Sequence, residues 1–216
     1  MANRPVFSVS LDARLFCRNN INFQWFGGFA LSQKRKCISS LHQSYLALHP
    51  GQRILEISSK SENELGVKLS AFNLTAETPM GEFAVEKIYQ AGKVFADGGP
   101  YTDLLSASSK EARTDSRLKS SGRLIGYALG EERFPVNPPT LFYNWVYIRA
   151  LHSHRDLADK VMGYDAFTDI VFNPQKSINC QAAAAAIYVS LRKQNLLDMA
   201  LKDRDAFARI VYPHAF

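Results

Sequence analysis

Apolar and polar residues alternate in two short stretches near the start of the chain. Residues 6–11 and 21–29 both alternate roughly, and the turn-prone Arg18-Asn19-Asn20 lies between them, so we expect a β-hairpin. Over residues 32–48 the pattern changes, because apolar side chains recur at steps of three and four. This periodicity predicts a helix with Ser32 as its N-cap.

The rest of the chain shows mainly helical patterns. A short strand is predicted over residues 53–58 and is followed by a polar loop. Helices are predicted over residues 84–95, 102–119, 140–151, 156–163, 179–194 and 196–210. We therefore expect an α+β fold, a helix-rich single domain with a β-rich N-terminal extension. The extension, a hairpin and a helix, would span residues 1–52, and the main body would span residues 53–216, in one compact unit overall.

Composition narrows the class of protein without naming a function. Hydrophobic residues make up 46% of the chain and charged residues 21%, which is enough apolar material for a real core. The net charge of +6 is compatible with an anionic partner, but a solvated, mildly basic surface explains it equally well. The three cysteines, Cys17, Cys37 and Cys180, are odd in number, widely spaced and without a C-x-x-C pair. This pattern argues against a disulfide framework and a structural zinc site.

The location of the protein is predicted from the same features. Unpaired cysteines indicate a reducing compartment, so we expect the protein to be cytoplasmic. The first residues lack a long apolar core followed by a small-residue cleavage site, which argues against a signal peptide. No stretch reaches the roughly 18–20 apolar residues that span a bilayer, so no membrane partner is expected.

Three polar residues in the predicted helix 84–95 form the sharpest candidate for chemistry. Glu86, Gln90 and Lys93 are spaced so that a helix places all three on one face. An ordinary solvent-exposed helix face explains this spacing too. The functional interpretation is a carboxylate, an amide and an amine that converge on a polar ligand, where the carboxylate moves a proton and the amine holds charge or attacks a carbonyl.

A second polar cluster leads into the alanine-rich helix 179–194. Its members are Asp169, Asn173, Lys176, Ser177, Asn179 and Gln181. One interpretation is an ordinary helix start with Ser177 or Asn179 as the cap. The other is an anion site in which Lys176 and free backbone N–H groups bind phosphate.

The remaining candidates are weaker. The loop Ser58-Ser59-Lys60 and, further on, Asn73 are polar, as loops usually are. The aromatic residues around Trp145 are typical of a core helix, although Trp145 or Tyr101 could stack on a base. His152 and His154 are interpreted as loop residues, so we expect no metal and no cofactor.

At these residues the sequence resembles the NADAR family, and in particular its branch of antitoxins associated with DarT-type DNA ADP-ribosyltransferase toxins. The segment that carries the resemblance is Phe83-Ala-Val-Glu86-Lys-Ile-Tyr-Gln90-Ala-Gly-Lys93-Val-Phe95. The likeness continues upstream in residues 57–60 and 69–73 and downstream in residues 168–170 and 177–181. It covers roughly residues 53–194.

The resemblance implies a NADAR-type fold and hydrolysis of an N-glycosidic bond to a ribose. For this branch it implies removal of ADP-ribose from guanine bases in DNA, so the expected partners are ADP-ribosylated DNA and a cognate DNA ADP-ribosyltransferase toxin. The catalytic residues would be Glu86 as proton shuttle, Lys93 as charge stabiliser or Schiff-base amine, and Asp169 orienting Lys93 or a ribose hydroxyl. The ligand-binding residues would be Ser58, Ser59, Lys60, Asn73, Gln90, Tyr101, Trp145, Asn173, Lys176, Ser177, Asn179 and Gln181.

Two other functions remain open from the sequence. One is an N-glycosidase that acts on a small ribosylated heterocycle, such as a flavin-pathway intermediate. The other is a non-enzymatic antitoxin that binds DNA or the toxin through basic residues, for which Lys34-Arg35-Lys36 and residues 110–123 are candidates. Activity on an ADP-ribosylated oligonucleotide distinguishes both from the glycohydrolase.

Overall fold

The structure is a computed structural model that describes residues 1–175 and 177–213. The chain divides into two compact units. Among the described residues, unit 1 consists of 1–70 and 154–213, and unit 2 consists of Ala71–Ser153.

The strands and helices are numbered in chain order. The strands are β1 (Ala2–Val9), β2 (Phe16–Phe23), β3 (Ile54–Glu56), β4 (Thr75–Thr78), β5 (Gly81–Ala84), β6 (Lys93–Phe95), β7 (Leu124–Leu129), β8 (Glu132–Phe134) and β9 (Ala166–Thr168). The helices are α1 (Leu31–Leu48), α2 (Glu64–Lys68), α3 (Val85–Ala91), α4 (Ser109–Thr114), α5 (Arg117–Ser120), α6 (Leu141–Ser153), α7 (Arg155–Val161), α8 (Gln181–Lys193), α9 (Leu197–Ala200) and α10 (Arg204–Val211). A short 3-10 helix spans Thr102–Leu105.

Unit 1 is built on a sheet of order β2-β1-β9-β3. β1 pairs antiparallel with β2 and with β9, whereas β3 lies parallel to β9. The core between the hairpin and α1 contains Ile21 and Phe23, which alternate with exposed Asn22 along β2. They pack with Cys37, Ile38, Leu41 and Tyr45, which recur at helical spacing on α1. The period-two and period-3.6 patterns of the sequence therefore meet in this core.

The predicted hairpin exists, but its turn lies elsewhere. Asn19 and Asn20 are inside β2, paired with Val6 and Pro5, so the turn predicted at residues 18–20 is wrong. The chain reverses between β1 and β2, where the Asp12 carboxylate accepts a 2.9 Å hydrogen bond from the Arg14 N–H. An aspartate that binds the backbone two residues on is ordinary turn chemistry, and the alternation of β2 hid it.

The capping prediction for α1 is also wrong. The N-cap is Ala30, which makes no side-chain capping hydrogen bond, and Ser32 is already inside the helix. The helix itself was predicted almost to its ends. Apolar periodicity shows that a helix is present more reliably than it shows which residue caps the helix.

Unit 2 contains the β4–β5 hairpin, the antiparallel sheet β6-β7-β8 and the helices from α3 to α6. Its centre is aromatic: the Phe142 ring on α6 lies 4.8 Å from the Tyr127 ring and 5.0 Å from the Phe134 ring, between centroids. The aromatic run of α6, buried from Leu141 to Ile148, is therefore core, as its spacing indicates.

Strands β4 to β8 were not predicted, and the helix predicted over 102–119 is divided into shorter pieces. Ser108 and Glu111 form a capping box that begins α4 as a separate helix. The Asp115 carboxylate then accepts from the Arg117 N–H at the start of α5. Local side-chain hydrogen bonds interrupt the helical pattern here.

The α+β class is confirmed, with about 42% helix and 20% strand. Helices α6, α7 and α8 lie within a few residues of the predicted 140–151, 156–163 and 179–194. The predicted helix 196–210 is two helices, because Asp203 caps a new one by accepting from Ala206 N–H. The predicted division after residue 52 stays a prediction, and β1 and β2 share their sheet with β3 and β9.

Candidate functional site

The three residues of the motif in the predicted helix 84–95 lie where α3 passes into β6. The prediction of one continuous helix is wrong for its last turn, because α3 ends at Ala91 and Lys93 begins β6. Lys93 is paired with Tyr127 across the β6–β7 ladder. A strand partner more than thirty residues away therefore ends the helix, which no local pattern could indicate.

The junction between α3 and β6 requires glycine. A Cβ atom added to Gly92 would lie 2.7 Å from the Ala128 carbonyl oxygen and 2.7 Å from the Phe142 Cζ. Real Cβ atoms do not approach backbone or rings that closely, so only glycine fits. The tight junction places the first residue of β6 back beside the last turn of α3.

Glu86, Gln90 and Lys93 are connected by hydrogen bonds, and we call them the lysine cluster. The Lys93 Nζ donates to the Gln90 Oε1 at 2.7 Å, and the Gln90 Nε2 donates to the Glu86 Oε1 at 3.0 Å. Gln90 is only 6% exposed, and its amide is oriented by a cation on one side and a carboxylate on the other. The three groups converge as predicted. Lys93, however, reaches the other two from the first position of β6, after the chain has turned out of α3.

The environment of Lys93 lowers the pKa of its amine. The Nζ lies 4.7 Å from the centroid of the Tyr89 ring, which itself packs edge-on against the Tyr143 ring at 5.4 Å. Burial lowers the pKa of Lys93 from its ordinary value, and the negative charge of Glu86 partly opposes this by favouring the ammonium. A partly desolvated amine with a lowered pKa is a better nucleophile and proton carrier than a surface lysine.

A second group of predicted residues meets in unit 1. The Asp169 Oδ1 accepts from the backbone N–H groups of Val171 at 3.0 Å and Phe172 at 3.1 Å. Its Oδ2 accepts from the Gln181 Nε2 at 3.0 Å, and the same nitrogen donates to the Ile57 carbonyl at 2.7 Å. Gln181, the first residue of α8, thus joins Asp169 to the end of the β3 segment.

Glu56 lies in this group and was missed by the sequence analysis. Its carboxylate is 3% exposed and accepts from Ser58 Oγ at 2.7 Å, Thr168 Oγ1 at 2.6 Å and Ile170 N–H at 2.9 Å. Thr168 is its registered neighbour on the parallel strand β9. A glutamate between Leu55 and Ile57 in an apolar strand was the available signal, because a buried carboxylate needs such donors.

Together Glu56, Thr168, Asp169 and Gln181 form what we call the carboxyl cluster. Burial, and secondly the negative charge of Glu56, raise the pKa of Asp169 to about 8, although part of its surface remains exposed. Burial also raises the pKa of Glu56, against the effect of its three donors. The two carboxyl groups titrate as an interacting pair, so at neutral pH they hold less negative charge than two ordinary acids.

A histidine extends the carboxyl cluster. The His42 Nε2 lies 2.8 Å from the Thr168 Oγ1, which itself donates to Glu56. The hydroxyl must therefore accept from His42, which assigns the proton to Nε2. Burial lowers the pKa of His42 to about 4, so the ring is neutral at neutral pH.

The loop after β3 is split between internal and exposed side chains. Ser58 is buried; besides donating to Glu56, its Oγ accepts from the Lys60 N–H at 3.1 Å. Ser59 is exposed and Lys60 is partly exposed. Ser58 therefore supports the carboxyl cluster, while Ser59 and Lys60 face outward as ligand-binding side chains would.

The predicted anion loop before α8 is organised by its own backbone. The Asn173 carbonyl accepts from the Ser177 N–H at 3.0 Å, and the Ser177 Oγ donates to the Asn179 carbonyl at 3.2 Å. The N-cap of α8 is Cys180, so the prediction of Ser177 or Asn179 as the cap is wrong. Lys176, the predicted phosphate-binding cation, lies outside the described residues.

The other predicted ligand-binding residues are in unit 2. Asn73 is exposed just before β4. The Tyr101 hydroxyl hydrogen-bonds Ser121, and the Arg117 guanidinium covers its ring at 4.4 Å. Trp145 is 2% exposed among core residues, so its ring presents no open face to a base. Of these three, Asn73 is the most accessible.

The described residues contain neither a metal-ligand cluster nor a membrane-spanning helix. Within 1–175 and 177–213, no three His, Cys, Asp or Glu side chains group as metal ligands. No helix in those ranges is long and apolar enough to cross a bilayer.

A comparison with known protein families identifies the family of this chain. A model of the family described as "DarT1-associated NADAR antitoxin" matches residues 2–216, which is nearly the whole chain. The chain belongs to this family. The resemblance inferred from the motif around Glu86 is thereby confirmed, and the NADAR antitoxin match includes the N-terminal hairpin that the motif left unexplained. No curated protein matches the chain.

Proposed function

We propose that this NADAR antitoxin is a glycohydrolase that removes ADP-ribose from guanine bases in DNA and so counteracts a DNA ADP-ribosyltransferase toxin. The observation that carries the proposal is the lysine cluster, in which a buried amide joins a carboxylate to a partly desolvated amine. The family membership of the chain supports the choice of substrate.

The chemistry requires two tasks at the bond between the ribose anomeric carbon and the guanine amine. The leaving amine must gain a proton, and the electron-poor anomeric carbon must be stabilised or captured. Glu86 is assigned the proton transfer, because its carboxylate is partly exposed at one end of the hydrogen-bonded chain. Gln90 fixes the distance between Glu86 and Lys93.

Lys93 is assigned the capture of the anomeric carbon. When the ribose ring opens, the bond between the anomeric carbon and the ring oxygen breaks, the oxygen takes a proton from Glu86, and the carbon forms an imine with the guanine nitrogen. The neutral Nζ adds to this carbon, and the guanine amine leaves with the proton that Nζ gives up, so a lysine imine takes its place. Water then adds to the imine, which releases the aldehyde form of ADP-ribose and restores the lysine. The alternative role, an ammonium that stabilises developing charge, needs a protonated Lys93, and the lowered pKa of Lys93 favours the imine route. Its hydrogen-bonding partner, Gln90, performs the orientation that the sequence analysis assigned to Asp169.

The carboxyl cluster is assigned to ligand hydroxyl groups. An Asp169 with a pKa near 8 can donate to a ribose oxygen as well as accept from a hydroxyl. Exposed Ser59, Asn73 and Ser177 remain predicted ligand contacts. None of these assignments requires a metal or a cofactor.

The substrate is tested by incubating the protein with two compounds and measuring the products by mass. One is an oligonucleotide with a single ADP-ribosyl guanine, and the other is a ribosylamino-pyrimidine phosphate. We expect intact ADP-ribose and unmodified oligonucleotide from the first and no reaction with the second. Hydrolysis of the small compound alone would replace the proposal with a small-molecule N-glycosidase. Toxin rescue without any hydrolysis would replace it with a binding antitoxin.

A further inference from the structure

The positive charge of the chain is concentrated in its first 48 residues. The cations there are Arg4, Arg14, Arg18, Lys34, Arg35 and Lys36, and the only carboxylate is Asp12. These residues therefore carry +5 of the total net charge of +6, and the remaining residues are nearly balanced. Such an asymmetry indicates an anionic partner for the N-terminal hairpin and α1 more directly than the total charge does.

Most of these cations are not neutralised within the chain. Arg14 pairs with Asp12, and Arg35 lies 3.7 Å from a Glu62 oxygen. Among the residues that the structure describes, Arg4, Lys34 and Lys36 have no carboxylate within ion-pair distance. These cations, Arg4 on β1 and Lys34 and Lys36 on α1, are available to an external anion.

Two of the free cations lie against one aromatic ring. The Arg4 guanidinium carbon is 5.5 Å from the centroid of the Trp25 ring, and the Lys34 Nζ is 4.7 Å from it. Hydrogen bonds fix the segment around Trp25 on α1, because Gln24 N–H donates to Ser40 Oγ at 3.2 Å. The ring and its two cations are thus a built platform on the surface of unit 1.

The neighbouring residues add to this platform. Phe29, a few residues after Trp25, is fully exposed. Lys34, Arg35 and Lys36 follow in the N-terminal part of α1, whose first turn contains no acidic residue.

We propose that the surface of Arg4, Trp25, Phe29 and Lys34, the Trp25 patch, binds single-stranded DNA by contacting its phosphodiester backbone. Free cations beside aromatic rings are the combination that holds a strand without regard to its sequence: the cations meet phosphates and an exposed ring stacks on a base. The identity of the strand as DNA rests on the proposed function, whereas the binding itself does not.

Binding is tested by the fluorescence anisotropy of a labelled, unmodified single-stranded oligonucleotide, titrated at several salt concentrations. The variant R4E/K34E changes both cations at the Trp25 ring and is compared with K160E/K202E, which changes two exposed lysines of unit 1 and has the same net charge. We expect R4E/K34E to bind about tenfold more weakly or worse, with a salt slope smaller by about 1.4. The control should bind like the wild-type protein.

A second variant guards against misfolding. F29A removes a fully exposed ring and should weaken binding about fivefold or more, because one stacking contact is lost. Circular dichroism melts should match the wild-type protein for all variants. Wild-type affinity in both R4E/K34E and F29A would overturn the proposal.

The outcome is separable from that of the proposed function. Hydrolysis of free ADP-ribosyl deoxyguanosine by R4E/K34E should equal that of the wild-type protein, since the nucleoside has no strand to hold. A wild-type protein that binds the oligonucleotide through the patch but hydrolyses neither substrate would refute the glycohydrolase and leave the patch standing.

Discussion

Lys93 has an ordered environment that an isolated surface lysine lacks. Its Nζ donates to Gln90 and lies over the Tyr89 ring, and its pKa is lowered by burial. The cost of ordering a long side chain is thus met by a hydrogen bond and a ring contact. These are the conditions under which a lysine amine can react with a carbonyl near neutral pH.

The imine route can be trapped chemically. If Lys93 attacks the opened ribose, borohydride added during turnover should reduce the imine to a stable adduct on that residue. Peptide mass mapping would locate it. Lys93→Ala should form no adduct and lose about 100-fold or more in kcat. Lys87→Ala on α3, the helix that carries Glu86 and Gln90, should retain both adduct and activity. Absence of an adduct in an active wild-type protein would assign Lys93 to charge stabilisation.

The sequence predicted the residues of the lysine cluster, but it did not indicate Glu56 of the carboxyl cluster. Glu86, Gln90 and Lys93 are spaced as neighbours on a helix, and they are neighbours, although Lys93 reaches Gln90 from a strand. Glu56 was missed because its significance comes from Thr168 and other donors far along the chain. Local spacing predicts groups that one element brings together, and pairing between distant strands is outside its reach.

At the scale of elements, two glycines allow close packing that positions the clusters. Gly92 joins α3 to β6, and Gly66 on α2 lies against β3. A Cβ added to Gly66 would be 1.9 Å from the Glu56 carbonyl oxygen and 2.6 Å from the Ser61 Oγ. The backbone of Glu56 is thus held from one side by a helix that only glycine can bring so near.

Gly66→Ala tests this close approach. The added methyl group must displace either α2 or β3, so we expect a loss of about 1–3 kcal/mol in the free energy of unfolding, measured with urea. Gly27→Ala is the matched control, because a Cβ there meets no atom within 4 Å. Its effect should stay within about 0.5 kcal/mol. If both substitutions changed the free energy of unfolding equally, the close contact at Gly66 would not be important for stability.

Long elements with their own periodicity were predicted, and short paired ones were not. α1, α6 and α8 carry apolar residues at helical spacing over three or more turns, and all were found near their predicted bounds. β6 and β9 have three residues each, which is too short for any pattern to be distinctive. Their strand character comes from their partners.

At the scale of the whole molecule, the carboxyl cluster makes stability depend on pH. The pKa of Asp169 is raised to about 8 in the folded protein, against about 3.9 in an unfolded chain. The folded state therefore holds its proton more tightly, and the contribution to stability is full below about pH 4 and is lost as the pH rises toward 8. Acid favours the fold at this group.

Asp169→Asn should remove this dependence. The unfolding free energy of the wild-type protein minus that of the variant should fall steadily from pH 4 to pH 8. The variant therefore gains stability relative to the wild-type protein as the pH rises. Urea unfolding at several pH values measures it, and groups common to both proteins cancel in the difference. A difference that rises with pH would mean that Asp169 is an ordinary stabilised carboxylate.

The central claim is that the lysine cluster of this NADAR antitoxin hydrolyses the bond between ADP-ribose and guanine. The most direct measurement is the release of ADP-ribose from a modified oligonucleotide, followed by mass for wild-type protein, Glu86→Gln and Glu77→Gln. Glu77 is an exposed glutamate on β4, so its substitution makes the same change in charge away from the cluster. We expect Glu86→Gln to fold normally but to be about 100-fold or more slower, while Glu77→Gln should match the wild-type rate. A folded Glu86→Gln that releases ADP-ribose at the wild-type rate would contradict it.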